Sequence, residues 1–277
     1  MSRGTGLSCW GACAVVGWGS EAELIYDKLT VALLGTLSTE RWGSTNAHIA
    51  RYLLERQGEL GDLSVKAVAS ACGVGAGSVS RFCREVGFDS FDELRREFCT
   101  SARSYETVPA SDAESAAGGL AGEVARTLLQ VERTIDRAAV ARLVSDLRSH
   151  EHVSVYGMLK AQAAAVDLQV DLLMQDKYVD TCVSHAEQLS RIANATADEL
   201  VVVFSYTGSY FDSRDLSNAM QRVDRPKIWV VCGKRHQMPP FVADRVLFSS
   251  SGSQVGHPYQ LELAAGIIAQ TYAREGA

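Results

Sequence analysis

Apolar residues return along this chain with two different periods. Between about Ser44 and Phe98 they recur every three or four positions, with no alternation of the strand kind. In "SVSRFCREVGF" the residues Val79, Phe82, Cys83 and Val86 share one helical face, while Ser78, Ser80, Arg81 and Arg84 point away from it. Upstream, "SVKAVASAC" places Val65, Val68, Ala69 and Cys72 on one side behind a Ser64 N-cap. Gly87 stands where a left-handed helix end is wanted. Ser90 and Glu93 form a capping-box pattern that opens a further helix burying Phe91, Leu94 and Phe98. "NAHIARYLLERQ" supplies another helix to close this small core.

The texture changes from Val153 onward. "HVSVYG", "YVDTC", "LVVVFSY", "KIWVVCG" and "RVLFSS" read as five short strands, rich in Val and aromatics. Between and after them, "KAQAAAVDLQVDLLMQ", "HAEQLSRIANA", "FDSRDLSNAMQRV" and "HPYQLELAAGIIAQTYARE" read as helices. Such alternation predicts a mostly parallel sheet covered on both faces. The stretch "TSARSYETVPASDAESAAGG" is small, polar and broken by Pro and Gly, so it reads as a linker. "EVARTLLQVERTIDRAAVARLVSDLRS" follows as an entry helix or helix pair. The expected organisation is an N-terminal extension or first helix over 1–40, an all-α domain over 41–100, a linker over 101–122 and an α/β domain over 123–277.

Composition narrows the function classes. The 277 residues are 47% hydrophobic and 22% charged, enough for two soluble domains. A formal net charge of −6 argues against a nucleic-acid-coating surface and leaves room for a local basic helix. Seven cysteines are scattered without a C-x-x-C pair or a Cys/His cluster, which fits a reduced intracellular protein without structural zinc. "LSCWGACAVVGW" is too short to span a bilayer and lacks a basic cluster before it, so the expected location is the cytoplasm, away from membranes.

Two helices joined by a tight Gly-containing turn form a helix-turn-helix pattern, and a second helix with a small, basic outer face can enter the DNA major groove. The same spacing also fits a helical subdomain with solvated arginines. The run "LSVKAVASACGVGAGSVSRFCREVGFDSFDELRREF" resembles the N-terminal helix-turn-helix of the RpiR/MurR family of bacterial transcriptional regulators. Leu63, Ser64, Ala69, Val74, Ser78, Val79, Arg81, Phe82, Cys83, Arg84, Gly87, Phe88, Phe91 and Leu94 carry the resemblance. Gly75 departs from it, standing where that family has Ser, and Gly77 falls in the first turn of the second helix. The resemblance implies contacts to double-stranded operator DNA from Arg81 and Arg84, smaller ones from Ser78 and Ser80, and a phosphate contact from Lys66.

The α/β block resembles the sugar isomerase (SIS) domain that follows this helix-turn-helix in the same family. What the resemblance implies is a flavodoxin-like sheet holding a phosphosugar at the C-terminal strand ends, where helix N-termini attract phosphate. "FSYTGSY" stands at the family's "S-x-S-G-x-(S/T)" loop, so Ser205, Thr207, Gly208 and Ser209 are ligand candidates, with Tyr210 replacing the last hydroxyl residue. At the first loop, "G-x-G-x-S" in the family, this chain has "YGMLKAQ". Gly157 is kept, Leu159 and Ala161 replace the second Gly and the Ser, and Lys160 brings a charge that could meet an anion. His185, Glu187, His257 and Glu262 are the residues suggestive of isomerase acid–base work, and His257 and Glu262 are kept as ligand candidates at the start of the last helix.

The expected protein is therefore a regulator without enzymatic activity, metal or cofactor. It would form a homodimer or homotetramer and be controlled by a phosphorylated sugar or amino sugar. Two alternatives stand beside it: a phosphosugar isomerase with a helical appendage, and a regulator whose SIS domain has lost sugar and serves only assembly.

Overall fold

The structure, a computed structural model, describes residues 28–56, 63–99, 108, 119–211, 214–233, 238–250 and 255–276. The segment "LSCWGACAVVGW" lies outside them, as does most of the expected linker.

The helical unit comprises α1 (Lys28–Thr39), α2 (Thr45–Glu55), α3 (Val65–Ala71), α4 (Ala76–Glu85) and α5 (Phe91–Cys99). Its core gathers Leu29 and Leu33 of α1, Ile49 and Leu53 of α2, Val68 of α3, Val79, Phe82 and Cys83 of α4, and Phe88, Phe91 and Leu94. Those α3, α4 and α5 residues are the ones that the three-to-four spacing puts on one face. Val65, Cys72 and Val86 sit at the edge of this core, packed against it without being fully buried. The side chain of Phe98 lies outside the described residues.

Local signals explain where these helices stop. The hydroxyl of Ser64 accepts from the Ala67 N–H at 3.2 Å, and Ser44 caps α2 in the same way at 3.1 Å. Gly87 is left-handed at φ 87°, and its neighbour Phe88 donates back to the Cys83 carbonyl at 2.9 Å, closing α4. At α5 the Ser90 hydroxyl takes the Glu93 N–H, but Glu93 reaches back to the N–H of Asp89, one residue before the position a regular capping box uses.

The α/β unit begins with α6 (Gly119–Thr134) and α7 (Arg137–Ser149). It continues through β1 (His152–Gly157), α8 (Lys160–Leu173), α9 (His185–Asn194), β2 (Glu199–Phe204), α10 (Arg214–Ala219), β3 (Lys227–Cys232), β4 (Asp244–Leu247) and α11 (His257–Gly276). All strands pair in parallel in the order β1-β2-β3-β4. The fifth expected strand, "YVDTC", is reduced to one parallel bridge between Ser154 and Asp180 on the free side of β1. Two backbone bonds of 2.8 Å hold it there. Counting that bridge as a second strand gives the order 2-1-3-4-5, which is the flavodoxin-like order.

Period-two alternation divides the strands between two cores. Leu200, Val202 and Phe204 of β2 and Trp229 and Val231 of β3 face α6, α7, α8 and α11. Val201 and Val203, with Ile228, Val230 and Cys232, face α9, α10 and Phe211. The sheet is thus buried on both sides, as parallel sheets require. In a flavodoxin-like order, the crevice falls at the C-terminal ends of β1 and β2, where the chain leaves to opposite faces.

Candidate DNA-reading helix and effector cleft

The turn between α3 and α4 is Cys72–Gly75. Gly73 takes φ 65°, and Val74 donates to the Ala69 carbonyl at 2.9 Å. Gly75 is the N-cap of α4 and offers no side-chain bond. A Cβ at Gly75 or Gly77 would meet nothing within 4 Å, so the front of α4 stands open. Ser80, Arg81 and Arg84 are exposed on that helix, Ser78 is half-buried, and Lys66 is exposed on α3. Arg81 lies 3.7 Å from Glu85, and Arg84 Nε donates to the Ser80 carbonyl at 3.4 Å. Both contacts are within one helix and solvent-facing, so phosphate or base edges can replace them at small cost. A protruding helix, locked from behind by Phe82 and Val79 and basic in front, can lie in a major groove.

At the strand ends of the α/β unit, a Cβ on Gly157 would fall 2.5 Å from the Ala161 carbonyl oxygen, so the first loop needs glycine there. Leu159 takes φ 51°, ψ −115°, a conformation that costs a non-glycine residue roughly 1–3 kcal/mol. Lys160 opens α8 with an exposed side chain, and Ala161 is buried where the resemblance implies a hydroxyl.

Between the two loops runs a buried network that the hydrophobic spacing does not foreshadow. Gln162 Oε1 accepts from the Gly157 N–H at 3.1 Å, and Gln162 Nε2 donates to Thr181 at 2.8 Å. Gln188 Nε2 donates to the Gly157 carbonyl at 2.9 Å and to Gln162 Oε1 at 3.0 Å. Tyr210 completes it, its hydroxyl donating to Gln188 Oε1 at 2.8 Å. Burial holds the Tyr210 phenol well above its ordinary pKa, so it serves as a neutral donor. Its ring meets His185 edge-on at 5.2 Å.

In the second loop, Ser205 and Thr207 are buried, and Gly208 turns the chain at φ 81°. Ser209 begins a 3₁₀ turn, Ser209–Phe211, and its side chain lies outside the described residues. Tyr206 joins a second cluster: its hydroxyl bonds Ser250, which donates to Gln260 at 2.7 Å, and its ring lies 5.2 Å from buried His257. Glu187 pairs with Arg191 at 2.7 Å on the outside of α9.

A cleft of about 650 Å³ opens beside the first loop. Met158 and Leu159, α8 residues Gln162, Val166, Asp167 and Val170, Val183 and His185, and Glu262 of α11 form its walls on the α/β side. Val31, Gly35 and Ser38 of α1 form the opposite wall. Of the ligand candidates named from the resemblance, Glu262 lines this cleft and the other described ones do not; His257 is drawn into the Tyr206 cluster instead. Glu262 is held above the ordinary carboxylate range by burial and by the nearby charge of Asp167, and Asp167 likewise by burial and by Asp171. Sequence reasoning missed Asp167 and Gln162, although Leu159, Gln162, Val166 and Val170 follow a helical spacing that marks one face of α8.

These features define a helix-turn-helix protein joined to a flavodoxin-like α/β unit. Residues 38–103 match the model of the "Helix-turn-helix domain, rpiR family", so the N-terminal unit is an rpiR-family helix-turn-helix domain. An uncharacterized HTH-type transcriptional regulator of Providencia stuartii is 22% identical over 182 residues, 61% of this chain and 62% of that protein. The match therefore spans less than two thirds of that relative. Another uncharacterized HTH-type regulator, from Caldanaerobacter subterraneus, is 23% identical over 225 residues, 75% of each chain. Among solved structures, the Vibrio vulnificus NanR protein complexed with ManNAc-6P superposes with a TM-score of 0.50 at 15% identity, covering 89% of this chain and 92% of that one. That likeness shows a shared fold. Among the described residues, no helix is long and apolar enough to cross a membrane, and no group of His, Cys, Asp and Glu is placed to hold a metal ion.

Proposed function

We propose that this protein is a transcriptional regulator that reads double-stranded operator DNA with α4 and responds to a sugar-derived effector through its α/β unit. The observation that carries the reading is the exposed, basic front of α4, held by an apolar core within an rpiR-family domain. Residues 41–100 would be the DNA-binding domain and 123–277 the sensing domain, in the cytoplasm. A homodimer or homotetramer would present paired α4 helices to half-sites about one turn apart, roughly 34–36 Å. Exposed Leu173 and Met174, at the end of α8 and just after it, support self-association, being apolar surface left uncovered in the single chain. The effector would be a phosphorylated sugar or an amino sugar, a class supported by the NanR protein, whose solved structure is a complex with ManNAc-6P.

The test is duplex selection from random DNA with the full chain, followed by titration of the selected duplex. Arg84→Ala should weaken binding about 5- to 100-fold, the value of one phosphate or base contact, with an unchanged circular-dichroism spectrum. Full affinity in that variant would remove Arg84 from the interface.

A second reading has its own support. Tyr210 and Gln188 fill the space between the two loops, and Leu159 and Ala161 replace residues that the SIS resemblance assigns to ligand. A sensing domain altered in this way would serve assembly alone. Turnover of aldose or ketose phosphates by the purified protein would instead favour an isomerase.

A further inference from the structure

The cleft beside the first loop has a composition that the loops do not. Its 650 Å³ falls within the range that holds a monosaccharide-sized ligand. Two carboxylates, Asp167 from α8 and Glu262 from α11, look onto it, and no Lys or Arg is among its described walls. Neither carboxylate carries an ion pair with a described side chain. Lys160, the nearby cation of the first loop, is exposed and off the wall. The hydroxyls of Ser205 and Thr207 lie beneath the surface, so of the groups suited to an anion exposed Lys160 alone is open, and it stands off the cleft, whose described walls carry the two carboxylates.

The opposite wall belongs to the other unit. On α1, Leu29 and Leu33 are one turn apart and sit in the helical core. Val31, Gly35 and Ser38 follow the same turn spacing on the other side and face the cleft. One short helix is thus shared between the DNA-reading core and the cleft wall. Gly35 leaves room there, since a Cβ on it would meet nothing within 4 Å.

We infer that this cleft is the effector site, that it takes a sugar bearing a free amino group, and that its occupant contacts α1 and so sets the position of the DNA-reading unit. The inference rests on the regulator reading above and specifies the ligand class and the route of control. An ammonium beside Asp167 and Glu262 would give these two wall carboxylates the charge-assisted hydrogen-bond donor that no described Lys or Arg of the walls supplies. Because a ligand shifts an equilibrium only through different affinity for the two states, contact with α1 supplies the difference that a site confined to one unit would lack.

The experiment titrates the full chain with glucosamine 6-phosphate, glucosamine, N-acetylglucosamine 6-phosphate and glucose 6-phosphate, reading thermal shift and calorimetric affinity. The two free amines should bind, and the acetylated and hydroxyl counterparts should bind about tenfold more weakly or less. Glu262→Gln should cost the amines about tenfold while leaving the free protein at least as stable. Gly35→Leu, on the other unit, should also weaken binding. Amide exchange over Val31–Ser38 should slow when glucosamine 6-phosphate is added. A sugar bound equally well by both variants sits elsewhere and overturns the site while leaving the effector reading intact. Amine binding without any change in α1 exchange overturns the route of control. If none of the four sugars raises the melting temperature, the inference falls together with the effector half of the regulator reading, and DNA binding stands or falls separately.

Discussion

Helix α4 and the first loop of the α/β unit both depart from the patterns they resemble, and in opposite senses. In α4 glycine is gained: Gly75 caps the helix and Gly77 lies in its first turn, each with open space where a Cβ would be. In the first loop glycine is lost: Leu159 occupies φ 51° close to Gly157, whose own Cβ position is blocked by the Ala161 carbonyl at 2.5 Å. The same kind of exchange therefore has different consequences. An added glycine in open space loosens a helix without disturbing its surroundings, while a lost glycine in a closed loop strains the backbone and changes what the pocket offers.

Substitutions can sharpen that contrast. Gly157→Ala should have the largest effect, a loss of about 3 kcal/mol, because the methyl must displace backbone on which Gln162 and Gln188 depend. Chemical denaturation measures it, and near-wild-type stability would show that the loop is plastic. Tyr210→Phe should cost about 1–3 kcal/mol, leaving the Gln188 oxygen without its phenolic donor. Leu159→Gly and Gly77→Ala form a matched pair. Each should stabilise by about 1 kcal/mol, the first by relieving strain and the second by restoring helix propensity. Raised melting temperatures for both would show that each exchange costs stability in its own setting; a Leu159→Gly variant less stable than the parent would contradict the strain.

The smallest effect concerns pH. The Glu262 carboxyl is raised in the folded protein by burial first and Asp167 second, so the native state holds its proton more tightly than the unfolded chain. Stability therefore falls as pH rises from the ordinary carboxylate range through the raised value, and the lost stability returns on acidification. Glu262→Gln should be more stable than the parent at neutral pH, with the gap closing in acid. Thermal melts at a series of pH values would show a constant gap if the carboxyl were unperturbed.

Much of the architecture was legible because it rests on local spacing. The apolar faces of α3 and α4 follow from a period of 3.6, the Ser64 cap and the Gly87 turn from residue types suited to helix ends, and the strands from Val- and aromatic-rich runs, those of β2 and β3 being almost wholly buried. "YVDTC" carries strand-forming residues, yet it pairs only through Asp180, and its Tyr178 is exposed. β-propensity describes a fit to a pleated surface, and that edge supplies little of one. The cleft was not legible. Its walls come from α1, α8 and α11, far apart in the chain, and a glutamine such as Gln162 or Gln188 on a helix reads as solvated until tertiary packing buries it. Glu262 came from the resemblance, whereas Asp167 needed the structure.

The central claim is that α4 reads DNA from a self-associated regulator. Hydroxyl-radical footprinting of the full chain on its selected duplex tests it most directly. The account predicts two protected patches on one face of the DNA, about one helical turn apart, both lost in an Arg81→Ala, Arg84→Ala variant that remains folded. A single patch, or protection that survives in that variant, would contradict it.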